Sequence, residues 1–239
     1  MRLDKFLSSQ GVCSRSDAKR LIRAGRVTVN GAHALSGADI ISPDEDKMTL
    51  DGEILSYKAH CYIMMNKPAG VLSATRDKQP TVLGLLPKAL NRPGLFPAGR
   101  LDKDTTGLLI ITDDGDFAHR LLAPAGHIKK VYHAVIDCPL PENAAEKFAM
   151  GVVLADGTHC LPAGLSVLSA GENPTVQITV FEGKYHQVKR MLGVLGAGVC
   201  SLCRVKIGGV ELDKTLPVGG CREMTAEEIN LIFNRRTDS

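Results

Sequence analysis

Two carboxylates, two bases and two hydroxyls stand together in the stretch GRLDKDTTGLLII, which covers residues 99–111. An aspartate carboxylate is ionised at neutral pH, so Asp102 or Asp104 could act as a nucleophile or a base without an activating histidine. Arg100 lies two residues before Asp102 and is placed to bind an anionic substrate. The stretch therefore predicts a chemical site, and the question is which aspartate serves it.

Three interpretations fit these residues. Both aspartates could simply form a turn, since Asp stabilises turns through its own backbone contacts. The pattern Asp-x-Asp-x-Thr is also typical of haloacid-dehalogenase-like phosphotransferases, which use magnesium, but Pro97 and Gly99 weaken the buried strand that should precede it. In the third interpretation Asp102 alone is the reactive group. The stretch by itself leaves all three open.

A cation that could orient the aspartate occurs in EGKYHQVKRML, over residues 182–192. His186 and Lys189 lie three residues apart near the start of a predicted helix, where amide donors and cations together favour an anion. A solvated surface of an amphipathic helix explains this segment equally well. Tyr132, in the predicted strand KVYHAVI, could stack on a nucleobase or belong to the ordinary core.

The elements at the N-terminus form a helix, helix, hairpin unit. Ser14 is the predicted cap of the second helix and Asn30-Gly31 the predicted turn of the hairpin. Arg15, Lys19 and Arg23 recur every four residues and so share one helical face, which could bind a phosphate backbone or simply face water.

The rest of the chain predicts an α+β fold. Strands are predicted at 61–65, 107–112, 130–137, 175–181 and 203–211, and helices at about 115–122, 142–150, 185–195 and 226–233. Because regular βαβ spacing is missing, the sheet should be mixed and largely antiparallel. A polar segment near residues 56–60 predicts the domain boundary, giving domains 1–58 and 59–239.

Composition narrows the class of protein. The 239 residues are 44% apolar with a net charge of +3, and no apolar run is long enough to span a membrane. We expect a cytoplasmic protein without membrane contact. The seven scattered cysteines predict buried, reduced thiols rather than a disulfide framework.

Taken together, GRLDKDTTGLLIITDDG, KVYHAVI, EGKYHQVKRML and RVKIGGVEL resemble the RsuA-type pseudouridine synthases in order and spacing, and residues 1–31 resemble the S4 RNA-binding module that precedes their catalytic domain. The resemblance covers nearly the whole chain. It implies a small S4-like αα-hairpin module followed by a synthase domain whose sheet is flanked by helices. It also implies isomerisation of a uridine in ribosomal RNA to pseudouridine, without cofactor or metal.

The resemblance assigns roles to residues of this sequence. Asp102 would be catalytic, Arg100 would help to extrude or replace the flipped base, Tyr132 would stack on that base, and Lys189 would pair with the aspartate. Asp102 could attack C1′ of the ribose, attack C6 of the base, or remove a sugar proton. The residues expected to bind RNA are Arg2, Lys5, Arg15, Lys19, Arg20 and Arg23.

The HQVKR and IGGVELD segments are most similar to the enzymes that act on small-subunit ribosomal RNA. The expected partner is therefore that RNA or a ribosomal subunit assembly intermediate, bound by a monomer. Two alternatives to the synthase are a magnesium-dependent phosphotransferase and a non-catalytic rRNA-binding assembly factor.

Overall fold

The computed structural model describes residues 1–234, which form two compact units. The first unit consists of Met1–Cys61 together with Leu86–Leu95. The second begins with Tyr62–Leu85 and continues from Phe96 to the end of the described residues.

The first unit has two helices and a small antiparallel sheet. Its strands are β1 Val27–Val29, β2 Ala32–His33, β3 Met48–Leu50 and β4 Glu53–Leu55, in the order β2-β1-β3-β4. As predicted, Ser14 caps the second helix by accepting a hydrogen bond from the Asp17 amide at 3.1 Å. The Asn30-Gly31 turn has φ angles of 52° and 84°, which a short side chain and glycine tolerate. The two helices are α1 Leu3–Ser9 and α2 Arg15–Arg23.

The second unit contains the larger sheet and four helices. Its strands are β5 Tyr62–Lys67, β6 Phe96–Pro97, β7 Thr106–Thr112, β8 Lys130–Ile136, β9 Gly164–Ser169, β10 Thr175–Val180, β11 Val199–Ile207, β12 Val210–Glu211 and β13 Cys221–Glu223. Its helices are α3 Gly115–Leu122, α4 Ala144–Met150, α5 Gln187–Val194 and α6 Ala226–Phe233, with short 3-10 turns at Val82–Leu85 and Pro124–Gly126.

The order of the main strands in this sheet is β13-β5-β7-β11-β8-β10-β9. Neighbouring strands run antiparallel except β7 and β11, which are parallel. The predicted α+β fold with a mixed, largely antiparallel sheet is therefore confirmed.

Alternation along the strands places two apolar cores against the helices. Ala134 and Ile136 of β8 are fully buried in the core that contains Phe148 of α4 and Met191 of α5. Tyr132 lies on the same strand face and packs against this core. The N-terminus of α5, which packs on this core, lies beside Tyr132, because Gln187 and Lys189 line one cleft with that residue.

The second core joins β5 and β7 to the other two helices. Leu108 and Ile110 of β7 are fully buried with Phe117 of α3 and Ile232 of α6. Because the apolar residues of β7 are buried, the chain immediately before it is held against a rigid strand.

The bounds of one strand and the surroundings of the cysteines differ from the sequence-based expectations. The strand expected at 203–211 begins at Val199 and breaks at Gly208-Gly209, where Gly208 adopts φ 55° and the chain reverses into β12. All seven cysteines are free, but only Cys61 and Cys160 are buried and Cys200 is exposed, so the prediction of buried thiols is wrong for most of them. A strand pattern cannot tell a covered sheet face from an open one.

No helix among residues 1–234 is long and apolar enough to cross a membrane.

Candidate active site

The loop that carries Asp102 lies between β6 and β7 and is bonded to the loop that follows β5. The Leu101 amide donates to the Ser73 hydroxyl at 3.1 Å, and the same hydroxyl donates to the Leu101 carbonyl at 3.0 Å. The Gly70 amide donates to the Lys103 carbonyl at 2.8 Å. These bonds fix the backbone on both sides of Asp102.

A fully buried lysine, Lys67, binds the backbone of the same loop. Its ammonium donates to the carbonyls of Asp102, Lys103 and Thr105 at 3.2, 3.2 and 2.9 Å, and to that of Pro68 at 3.0 Å. Burial lowers the pKa of Lys67 to about 8, although the nearby carboxylates act in the opposite direction. Sequence reasoning missed this residue, whose only local signal is a charged side chain at the end of an apolar strand.

The two aspartates of the loop have different surroundings. The side chain of Asp102 is 28% exposed and that of Asp104 is 73% exposed. The Lys189 ammonium donates to both carboxylate oxygens of Asp104, at 2.6 and 2.7 Å, and lies 3.8 Å from Oδ2 of Asp102. Its hydrogen bonds hold the pKa of the Asp104 carboxyl below its usual range. Lys189 therefore binds mainly to Asp104, whereas the family resemblance implied that it pairs with Asp102.

His186 provides a second basic group beside Asp102, since its Nε2 lies 3.5 Å from Oδ1 of that residue. It precedes α5 with φ 49°, in the left-handed region, so the helix starts at Gln187 rather than at the predicted residue 185. Gln187 is buried and donates to Glu182 at 2.9 Å, while Glu182 also pairs with Lys184. This local network fixes the entry into α5 and with it His186 and Lys189.

The cleft that contains these groups encloses about 450 Å³, including its open mouth. The structure brings all four predicted site residues, Arg100, Asp102, Tyr132 and Lys189, to its lining. Tyr132 is half-buried, and Arg100 is exposed. Among residues 1–234, the Arg100 side chain has neither a hydrogen bond nor an ion pair. A ligand in this cleft would meet an aromatic ring, a carboxylate and an unpaired guanidinium.

The segment before Asp102 argues against the phosphotransferase interpretation. That motif should follow a buried parallel strand, whereas β6 has only two residues and pairs antiparallel with β7. Within the described part of the chain, we find no cluster of three or more His, Cys, Asp or Glu side chains that could hold a metal ion.

The six basic residues predicted to bind RNA all lie in the first unit and are exposed. Two of them are paired, Arg2 with Asp4 and Arg20 with Asp17, both at 2.8 Å. Arg15, Lys19 and Arg23 share the outer face of α2, as predicted from their spacing. The face thus presents a row of exposed cations directly beside the buried side chains of Ala18 and Ile22.

Comparison with known proteins agrees with this arrangement. Residues 61–193 match the family model for RNA pseudouridylate synthase, and residues 1–46 match the S4 domain. The chain is 41% identical to the Bacillus subtilis RNA pseudouridine synthase YtzG over 234 residues, covering 97% of this chain and 98% of that protein. It is 43% identical to the ribosomal small subunit pseudouridine synthase A of Yersinia pestis over 232 residues, covering 96% of this chain and 97% of that protein.

A solved structure, the crystal structure of a pseudouridylate synthase, superposes with a TM-score of 0.67 at 38% identity and covers 97% of this chain and 99% of that one. These matches do not support the phosphotransferase or the non-catalytic assembly factor. With family models and relatives that agree over nearly its whole length, the chain belongs to the RNA pseudouridylate synthase family and is an RNA pseudouridine synthase with an N-terminal S4 domain.

Proposed function

We propose that this enzyme converts a specific uridine of small-subunit ribosomal RNA to pseudouridine, with Asp102 as its catalytic residue. The observation that supports the site is the convergence of Asp102, Arg100, Tyr132 and Lys189 in one cleft. The relative from Yersinia pestis is named for the small ribosomal subunit, which supports the choice of RNA. Residues 1–58 would form the RNA-binding domain and residues 59–239 the catalytic domain.

The target base must leave the RNA stack before its glycosidic bond is accessible, and this costs a few kcal/mol. Tyr132 offers the flipped uracil an aromatic face, and such stacking returns roughly 1–3 kcal/mol per base. Arg100 has no partner in the described structure, so its guanidinium is available to occupy the space that the base leaves in the RNA or to bind a flanking phosphate.

The reaction exchanges one bond for another within the same nucleotide. The bond from C1′ to N1 breaks, a bond from C1′ to C5 forms, the C5 proton leaves, and N1 is protonated. Asp102 presents a carboxylate to the nucleotide, as a nucleophile at C1′ or C6 or as a base at the sugar requires. Lys189 and His186, at 3.8 and 3.5 Å, orient that carboxylate, and the carbonyl bonds of Lys67 hold its backbone.

The first unit supplies the affinity for RNA in this proposal. Its six exposed cations, Arg2, Lys5, Arg15, Lys19, Arg20 and Arg23, would contact phosphates of the ribosomal RNA or of a subunit assembly intermediate. We propose that the enzyme acts there as a monomer, in the cytoplasm where this RNA is assembled. Light scattering of the enzyme alone and with RNA would test whether it is a monomer.

Tritium release from transcripts labelled at C5 of uridine tests the function, because only replacement of the C5 proton frees the label. Wild-type enzyme should release tritium from small-subunit transcripts and not from large-subunit transcripts. Asp102→Asn should abolish release while RNA binding stays close to wild type. Asp116→Asn, at an exposed aspartate of α3, is the matched control and should remain active. Full release by Asp102→Asn would refute the catalytic assignment, and no release by wild-type enzyme would refute the proposed reaction on this RNA.

A further inference from the structure

Tyr185 is an aromatic residue at the surface that no packing requirement explains. The residue is 76% exposed, and it is the one aromatic residue among the large, exposed apolar residues of the described range 1–234. In the same part of the chain its hydroxyl has no hydrogen-bond partner. A tyrosine normally buries most of its ring, so this residue leaves apolar surface in water.

The Tyr185 ring and backbone each have one contact in this exposed position. It stacks on the ring of His186, with 3.9 Å between the centroids and 17° between the planes. The left-handed backbone of His186 turns the two consecutive side chains to the same side, whereas an extended backbone would point them apart. In addition, the Arg190 guanidinium donates to the Tyr185 carbonyl at 3.4 Å. One face of the tyrosine ring is thus covered by His186 and the other is open.

Only one residue of this stacked pair lines the cleft. His186 lines the cleft and lies 3.5 Å from Asp102, while Tyr185 is the next residue outward and does not line it. Tyr132 is the aromatic residue in the cleft itself. Because Lys184 and His186 on either side of it line the cleft, the exposed Tyr185 lies at the edge of the cleft. RNA would pass this edge if the target uridine occupies the cleft.

We propose that Tyr185 is a second nucleobase platform, on which the base next to the target uridine stacks. The proposal rests on the proposed function, since it needs an RNA whose uridine is extruded into the cleft. Extrusion leaves the adjacent base without its stacking partner, and the open face of Tyr185 replaces that partner. Because every base has a π-face, the platform would accept any of the four bases and contribute binding rather than sequence readout.

A double-mutant cycle between enzyme and RNA tests the platform. Once the modified uridine has been located by mass spectrometry, synthetic RNA fragments carry an abasic nucleotide at either flanking position. With wild-type enzyme, the abasic change at one flank should lower kcat/KM roughly five- to a hundredfold. With Tyr185→Leu, kcat/KM on intact RNA should fall by a similar factor, and the same abasic change should have little further effect. If the loss from Tyr185→Leu and the loss from the abasic nucleotide multiply at both flanking positions, the proposal is overturned.

Two variants separate stacking from a structural role. Tyr185→Phe preserves the ring and should retain most of kcat/KM, whereas Met150→Ala removes an equally exposed side chain outside the cleft and should change nothing. With 2-aminopurine at the sensitive flank, wild-type enzyme should quench the fluorescence on binding and Tyr185→Leu should not. Equal quenching by both enzymes would also overturn the platform. Absence of pseudouridine with wild-type enzyme would instead count against the proposed function, so the two failures are distinguishable.

Discussion

At the scale of single residues, two aspartates separated by one residue are distinguished by what binds them. Asp102 is the less exposed and has two basic neighbours at 3.5 and 3.8 Å, whereas Asp104 is mostly exposed and takes both short hydrogen bonds of Lys189. The lysine is therefore shared unequally. We infer that Asp104 controls the position of the Lys189 ammonium relative to Asp102.

Asp104→Asn should lower the rate of pseudouridine formation by less than about tenfold, because exposed ion pairs contribute about 1 kcal/mol or less. Without the charge of Asp104, the Lys189 ammonium is free to move toward Asp102. Initial rates of tritium release measure the effect, with Asp102→Asn assayed beside it. A loss as complete as that of Asp102→Asn would show that Asp104 takes part in the chemistry.

Lys67 binds three backbone carbonyls of the Asp102 loop, so the geometry of that loop depends on it. Its ammonium is fully buried and its four hydrogen bonds all go to backbone carbonyls. In Lys67→Met the new side chain has a similar length, but it leaves these carbonyls without a hydrogen-bond donor. We expect at least a tenfold loss of kcat with folding retained, and a destabilisation of about 1–3 kcal/mol. Lys147→Met, at an exposed lysine of α4, is the matched control and should be neutral.

The same variant has a signature in the pH dependence of stability. The unfolded chain keeps the Lys67 proton up to its ordinary pKa of 10.5, while the folded chain releases it near 8. Between these values the unfolded state binds more protons, so the free energy of unfolding of the wild type rises with pH. Lys67→Met lacks this contribution, and its free energy of unfolding should rise less between pH 8 and 10.5. Urea unfolding at several pH values measures the difference, and parallel pH curves would contradict it.

At the scale of elements, the contact between β7 and β11 determines how the Asp102 loop enters the sheet. These strands are the parallel pair, and Gly107 lies opposite Arg204 at their contact. Gly107 has φ 97°, and a Cβ there would collide with the Arg204 carbonyl and the Cys203 sulfur. Since β7 continues directly from the loop, a displacement here would move Asp102.

Gly107→Ala should destabilise the protein by about 2–4 kcal/mol, through backbone strain together with the steric collision. Thermal or urea unfolding measures the change. Gly193→Ala is the control, because Gly193 lies in α5 and a Cβ there would meet no other atom. This variant should raise the free energy of unfolding by up to about 1 kcal/mol. If Gly107→Ala left the free energy of unfolding unchanged, the two strands would be able to move apart at this point without loss of stability.

The order of the elements was largely predictable, because helices and strands follow local patterns of apolar residues. The helices predicted at 115–122 and 226–233 have the predicted bounds. The start of α5 was misplaced because a left-handed backbone is uncommon for any residue other than glycine. Histidine is enriched in this conformation, but His186 alone does not predict it. The break at Gly208-Gly209 had such a signal, a pair of glycines, which the strand pattern outweighed.

At the scale of the whole molecule, the two units have separate chemical tasks in the proposed function. The second contains the cleft, and the first presents a row of cations on α2. A cationic row of this kind affects the affinity for RNA and its dependence on salt, whereas the cleft affects the rate once RNA is bound.

Replacing Arg15, Lys19 and Arg23 together by alanine should weaken RNA binding and flatten its salt dependence by about one counterion per lost contact. The slope of log Kd against log salt concentration for the full-length protein measures this, with Lys147→Ala as the control. Turnover at saturating RNA should stay near that of wild type. A salt slope equal to that of wild type would show that this helix face is only a solvated surface.

The sequence by itself determined the class of enzyme, the α+β fold and the candidate Asp102, because motifs and apolar periodicity are local properties of the chain. Only the tertiary structure showed that Lys67 supports the Asp102 loop, that Lys189 binds chiefly to Asp104, and that Tyr185 is stacked and open. The first two contacts join residues 35 and 85 positions apart. Hydrogen bonds over such separations depend on how strands and helices pack, and a buried lysine and an exposed one are the same letter in the sequence.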